Sequence, residues 1–221
     1  MAIRKRKIQA NYLNIKGVYE FLGMGFTELN ESPSAQTTSK RYIHQASATQ
    51  TVTGYEWASS YVADQIENEK AIEYIRSIGE MLKLGNDTET DYLIVDLDMP
   101  GTTANTFRAR KRRVSVSVDS FDDNDGELGM SGSFLGMTDP IEGTFNTTTK
   151  TFTNGFTIKT HEVTYTATGA ISAISIPGVT HSQGKFSNIP HYATTFTFKD
   201  GQDTKTATRT GDVWTGTWAI K

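Results

Sequence analysis

Cysteine is absent from the 221 residues, which excludes a disulfide framework and any thiolate metal site. Histidine is scarce: His44, His161, His181 and His191 are the four in the sequence, and none stands at HxH, HxxH or HExxH spacing. Each reads as a surface or turn residue rather than a ligand. No apolar run approaches the roughly 18 residues needed to cross a bilayer. A basic cluster at residues 4–7 has no apolar segment behind it, so neither a signal peptide nor membrane association is expected. A dominant charge of one sign is missing as well. The net charge of -3 creates no field that would draw the whole molecule to DNA or to an anionic membrane.

Signatures of catalysis are missing in the same way. The chain has no GxSxG elbow, no GxGxxG after a strand and no GxxxxGK[ST] phosphate loop. No titratable groups converge in the sequence, so no enzyme, catalytic residue, cofactor or metal site is expected.

What is present is threonine, serine and glycine, densest after Gly126. Threonine is β-branched and suits a pleated surface, so the composition is that of a mainly β protein. Residues 17–26, 48–57, 91–98, 107–119, 129–137 and 141–152 read as strands. In the fourth, Val114, Val116 and Val118 share one face, and Ser115, Ser117 and Asp119 share the other. Residues 27–39 are rich in turn formers and lack an apolar period, which reads as a long polar loop running up to Lys40. One amphipathic helix is expected over residues 64–84, with Ile66, Ala71, Ile72, Ile75, Ile78, Met81 and Leu82 on its apolar face. Asp64 would cap its start and Gly85 would stop it.

After about Gly155 the pattern holds strands only, at 161–166, 170–176, 193–199 and 213–220. That places a boundary between a first domain, residues 1–156, and a C-terminal all-β extension or small module, residues 157–221. Trp214, Trp218 and Tyr192 either fill a small core there or are displayed for weak adhesion. The first is expected.

Two charged segments stand out. Asp119, Asp122, Asp123, Asp125 and Glu127 superficially resemble a calcium loop, but the bidentate Glu at the twelfth position is missing, so a solvated acidic hairpin turn is expected. Arg108, Arg110, Lys111, Arg112 and Arg113 form a basic run with one aromatic neighbour, Phe107, which is too little for a nucleic-acid platform. In a strand the run splits between two faces, and so many cations need acids opposite them. The acidic stretches 67–80 and 119–127, in the same chain or a neighbour, are the candidates, and pairing between subunits is the expectation.

Together the stretches LNESPSAQTTSKRYI (29–43), DQI (64–66), DDNDGE (122–127) and GTFNTTTKTF (143–152), in this order, resemble the major tail tube protein of siphophages of Gram-positive hosts. The resemblance covers roughly residues 10–156. It implies a tail-tube β-sandwich or barrel with a packed helix, polymerised as hexameric rings that stack into a tube through which DNA passes. It further implies a virion tail location, assembly in the host cytoplasm, and tape measure and tail terminator proteins as partners. DNA would pass a neutral or acidic lumen without specific binding. Pro33, Gln36, Tyr42, Arg108, Arg110, Arg112, Asp122, Asp123 and Asp125 are the subunit-interface candidates. The rival reading is a carbohydrate- or host-surface-binding β-sandwich module.

Overall fold

The computed structural model describes residues 3–165, 169–182 and 184–216. Among the described residues the chain is mainly β with one α-helix, and none of the sheets closes on itself. It begins with β1 (Gln9–Ile15), β2 (Val18–Phe21) and β3 (Phe26–Ser32), followed by a hairpin of β4 (Ala35–Lys40) and β5 (Thr49–Tyr55). Then come β6 (Ala58–Asp64), the helix α1 (Lys70–Glu80), β7 (Glu89–Pro100), β8 (Thr106–Asn124), β9 (Glu127–Gly136), β10 (Ile141–Asn146) and β11 (Thr151–Asn154). All of these strands except β4 and β5 belong to one nine-stranded sheet.

The sheet runs β2-β1-β7-β8-β9-β6-β3, and β8 organises it. The first part of β8 pairs with β10 on the edge that its second part gives to β9, so one strand serves two arms. The path's two ends, β2 and β3, are joined by residues 22–25. So short a link spans at most about 18 Å, so the sheet rolls towards a barrel while its edges stay unpaired with each other. The expected choice between sandwich and barrel is resolved as an open, rolled sheet.

Period-2 alternation decides the two sides. Leu13, Tyr92, Ile94, Val114, Val116, Met130 and Phe134 face one core, which α1 covers with Ala71, Ile72, Ile75 and Ile78. Ala10, Tyr12, Leu93, Val95 and Ala109 face the other, where Phe145 of β10 packs against Tyr12 and Tyr19. The Val114–Val116 alternation is as the sequence suggests. Gly132 lies where a Cβ would collide with the Ser117 carbonyl and Tyr61, which keeps β8 and β9 close at this crossing.

Several expectations change. Residues 27–40 are not a loop but β3 and β4. Their apolar period is missing because β3 is an edge strand and β4 buries neither face. Residues 17–26 split into β2, a turn and the start of β3, and residues 141–152 split into β10 and β11 around a turn. The helix is shorter than expected: Asp64 ends β6, and Glu69 stands at the N-cap without a side-chain hydrogen bond.

The helix stop is displaced as well. Leu82, with φ 47°, takes the left-handed position; its N–H donates to Gly79 O at 3.2 Å and that of Lys83 to Ile78 O at 3.0 Å. These are the two bonds of a Schellman stop, with leucine where glycine is favoured. Leu82 is exposed, so replacing it removes backbone strain and little packing. Leu82→Gly is expected to raise Tm by about 2 °C in a thermal melt of the dilute chain.

Beyond β11 the chain forms β12 (Thr160–Thr164), β13 (Ile171–Ser172), β14 (Thr180–Ser182), β15 (Lys185–Pro190), β16 (Thr195–Asp200), β17 (Asp203–Thr210) and β18 (Val213–Gly216). They make two antiparallel sheets, β12-β15-β14 and β13-β16-β17-β18. Their core is their own, with Phe186, Phe196, Phe198 and Trp214 at its centre and no member before Val163. A bridge between Gly101 and Ile158, and the Lys159 N–H to Pro100 O bond of 2.9 Å, tie the connection to the end of β7. Trp214 fills this core as expected, while Tyr192 is exposed. Trp218 lies outside the described residues, as do residue 166 and the rest of 217–220. The sequence reading misses β14, β15 and β17. The last, DTKTATRT, shows one buried side chain, Ala207, and so no legible apolar face.

Candidate assembly surface

The hairpin of β4 and β5 is the least self-sufficient part of the fold. The two strands pair with each other and with no other described strand, in a register from Ala35↔Tyr55 to Lys40↔Thr49. Every residue of β4 is exposed, and all of β5 except Gly54. Threonine and serine dominate both strands, which favours extended backbone but supplies no apolar face. Tyr42, Ile43, Val52 and Tyr55 nonetheless project into solvent. A lone two-stranded ribbon is marginal in water, because it closes hydrogen bonds without burying surface.

Three of the expected interface residues belong to this ribbon or its root. Pro33 sits at the root, where the Glu56 N–H donates to Ser34 O at 3.0 Å. Gln36 lies opposite Gly54, and its carbonyl accepts from Thr53 Oγ1 at 3.2 Å. Tyr42 lies in the tip, stacked on His44 with ring centroids 6.0 Å apart and with Lys40 Nζ 5.0 Å from its ring.

The basic run lies on β8, and the register there supplies most of its counter-charges within the chain. Arg108 stands opposite Asp96 and reaches it at 3.0 Å, with Glu142 at 2.6 Å. Arg110 pairs with Glu31 at 3.0 Å, Lys111 with Asp91 at 3.8 Å, and Arg113 with Glu89 at 3.4 Å and Asp91 at 3.7 Å. The acids come from β3, β7 and β10, not from the stretches 67–80 and 119–127 suggested by the sequence. Cross-strand register set this choice: β7 carries acids in line with the cations on the pleat.

Asp96 is the hub of the inner pairs. It is buried, and Arg4 Nη2 reaches it at 2.7 Å from the side opposite Arg108. Asp96→Ala removes the anion between two guanidinium groups. It should cost about 2 kcal/mol, read as a lower urea midpoint at unchanged m.

Arg112 is different. It makes no ion pair among the described residues; its Nη1 donates to Thr138 O at 3.0 Å and its guanidinium lies 4.8 Å from the centre of the Trp57 ring. Burial, together with Arg110 nearby, pushes its pKa below the ordinary guanidinium value. Arg112 is therefore a partly desolvated cation with no carboxylate in salt-bridge contact among the described residues, although Glu31 and Asp139 lie close enough to act on it. It lines a cleft of about 730 Å³ at the root of the ribbon, together with Pro33, Tyr55, Trp57 and Arg110 and the carboxylates of Glu31 and Asp139. The structure thus brings Pro33, Arg110 and Arg112 into one place. Gln36 and Tyr42 stand further out on the ribbon, and Arg108 lines no part of the cleft.

The acidic residues occupy the other end of β8. Asn124 pairs with Glu127, and between them Asp125 (φ 53°) and Gly126 (φ 90°) both take left-handed backbone. This is a two-residue turn of the I′ kind, which Asp-Gly favours, so the expected acidic hairpin turn is present. Asp123 Oδ1 accepts from the Gly126 N–H at 2.8 Å and Asp122 from Ser120 at 2.8 Å. None of Asp122, Asp123 and Asp125 makes an ion pair among the described residues. At the usual strand rise, the turn lies roughly 33 Å along β8 from Arg112.

Glu31 and Trp57 are the residues of this cleft that sequence reasoning misses. Trp57 Nε1 donates to Glu31 Oε1 at 2.8 Å, and the same carboxylate holds Arg110. Their signal was their position at the two feet of the polar segment, legible only once that segment is read as a hairpin.

No family model matches the chain, and no curated protein matches it. Among solved structures it is similar to a chain from the tail of an empty gene transfer agent particle, determined with helical refinement and C6 symmetry. The identity is 12%, the TM-score 0.47, and the match covers 62% of this chain and 97% of that one. A chain from the virion of a native gene transfer agent particle is similar at 12% identity and TM-score 0.45, over 68% of this chain and 99% of that one. Likenesses at this level extend no further than the general arrangement of strands.

Proposed function

We propose that this chain is a structural, non-enzymatic subunit that polymerises with copies of itself to form a virion tail, as hexameric rings stacked into a tube through which DNA passes. The β4–β5 ribbon is the observation that carries the reading: a strand pair with exposed tyrosine, isoleucine and valine, and no core of its own, is completed by another surface. The open, rolled sheet fits the same reading, because unpaired edge strands accept strands from neighbours. The charge distribution adds a direction. Arg112, without an ion pair among the described residues, lies in the cleft beside the first half of β8, and carboxylates without ion pairs lie at the far end of that strand, so a copy can place its acidic turn in the cleft of the next. Such a contact is head-to-tail and does not close on itself, which is how filaments grow.

In this assignment Pro33, Gln36, Tyr42, Arg110, Arg112, Asp122, Asp123 and Asp125 are interface residues. Arg108, satisfied inside the chain, supports the sheet instead. Residues 1–156 form the tube domain and residues 157–221 a C-terminal module on it. Tape measure and tail terminator proteins are the partners expected at the tube's ends. Assembly takes place in the host cytoplasm, and DNA passes the lumen without specific contacts. Burial of Trp214 leaves the C-terminal strands without a tryptophan platform among the described residues, which weighs against a carbohydrate-binding role.

Negative-stain electron microscopy of the concentrated, purified chain tests the proposal. Six-fold rings or tubes are the expected result, and a chain that stays monomeric at every concentration contradicts it.

A further inference from the structure

The C-terminal strands hold a cluster that plays no part in the assembly surface. His161 lies in β12, His191 follows β15, Arg209 lies in β17, and Asp212 sits in the turn before β18. His161 Nε2 and His191 Nδ1 are 2.8 Å apart, with the rings stacked at 5.0 Å between centroids. Arg209 Nη1 lies 3.0 Å from His161 Nε2, 3.4 Å from His191 Nδ1 and 3.9 Å from Asp212 Oδ1. Arg209 Nη2 donates to the carbonyl of His191.

Two imidazoles and a carboxylate, with ligand atoms within 4.8 Å of one another, have the makeup of a divalent metal site. Arg209 argues against it. Its Nη1 stands among the three ligand atoms, its side chain is 8% exposed, and a guanidinium does not lose its proton in a protein. The cluster already contains its cation.

The guanidinium also limits where protons can sit. Nη1 can only donate, and it stands 3.0 Å from His161 Nε2 and 3.4 Å from His191 Nδ1, so both ring nitrogens face a donor. Protonating His161 at Nε2 puts a hydrogen where the Arg209 N–H already points. Protonating His191 adds a charge beside Arg209. Lys159 is a further cation facing both rings, and Asp212, exposed, is the anion among the described residues that opposes them. Burial first, and then Arg209, hold both imidazoles below the ordinary histidine value.

The location gives the cluster a mechanical role. The His191 N–H donates to Lys159 O at 2.9 Å, next to the Lys159 bond to Pro100, and the Arg209 N–H donates to Thr194 O at 2.7 Å. The β12-β15-β14 sheet, the β13-β16-β17-β18 sheet and the connection from β7 all meet here. We propose that His161, His191 and Arg209 form an acid-sensitive latch that joins the two C-terminal sheets at this junction and opens when the imidazoles take up protons.

The sign follows from linkage. A histidine whose folded pKa lies below its unfolded value of about 6.5 contributes stability that is complete above that pH, and loses it as pH falls through the folded value. Each unit of difference changes the folded ratio tenfold. The latch is closed at neutral pH and weakens in mild acid, whether or not the chain assembles.

The test uses the whole chain, followed by histidine NMR and by thermal melts at pH 7.5 and 5. His161 and His191 should titrate below the ordinary histidine value of about 6.5, and melting of the C-terminal strands should come at lower temperature at pH 5. In His161→Gln/His191→Gln that drop should shrink to less than half. Titration of both rings at or above about 6.5, or an unchanged drop in the double variant, overturns the proposal. If the double variant does not fold, Arg209→Gln decides instead: the histidine pKa values should rise, and unmoved values overturn the latch. Zinc chloride at pH 7.5 should leave the melt unchanged; stabilisation lost in His161→Gln would make the cluster a metal site and overturn the proposal.

Discussion

A chain whose residues 35–55 are replaced by a short Gly-Ser turn should lose polymerisation altogether while its monomer melts within about 2 °C of the parent. The two halves of that expectation come from the same fact. The ribbon contributes no member to any of the three buried clusters, so the sheet and α1 do not need it. In the proposed assembly a neighbour buries the ribbon's exposed Tyr42, Ile43, Val52 and Tyr55, at roughly 25 cal/mol per Å² of apolar surface. Size-exclusion chromatography and electron microscopy read the first half, and a thermal melt reads the second. If the shortened chain still forms tubes, the ribbon is a decoration and the edges of the large sheet must carry assembly alone.

Charge reversal at Arg112 should have the next largest effect. Arg112→Glu loses one hydrogen bond to Thr138 O and a contact with Trp57, a loss of about 1 kcal/mol for the monomer. For assembly it replaces attraction by repulsion in a partly desolvated cleft, where removing one member of a charge pair costs about 2–5 kcal/mol. The concentration needed to polymerise should rise about 30-fold or more. Lysines at Asp123 and Asp125 in the same chain should restore assembly, because the pairing is then reversed in sign on both partners. Reversal at Arg110 is a poorer probe, since Glu31 would lose its partner inside the monomer. Failure of the lysine variant to rescue Arg112→Glu would separate the acidic turn from the cleft. Added salt should weaken the parent's assembly in the same direction.

The sequence exposed the parts of this molecule that follow short-range rules. The Val114–Val116 alternation, the Asp125-Gly126 turn and the apolar face of α1 were readable because period and turn chemistry are local. The ribbon was hidden for a physical reason. Strand recognition relies on one face meeting a core, and β4 has no core to meet. Charge partners were hidden for another: Arg108 finds Asp96, and Arg110 finds Glu31, through strand register that no single segment announces. The histidine cluster joins residues 161, 191, 209 and 212, separations at which spacing rules for ligands are silent. Helix ends were misplaced at Asp64 and Gly85 because each has the right residue type, while the backbone used Glu69 and Leu82.

Hydrogen exchange of the β4 and β5 amides, measured at rising protein concentration, tests the central claim most directly. In a dilute monomer these amides should exchange within the fastest class of the chain, because their hydrogen bonds are exposed and lack buried support. In the assembled state they should slow to match β8, while α1 amides change little. Protection of the ribbon that is already high in the monomer and independent of concentration would contradict the account, since the ribbon would then need no partner.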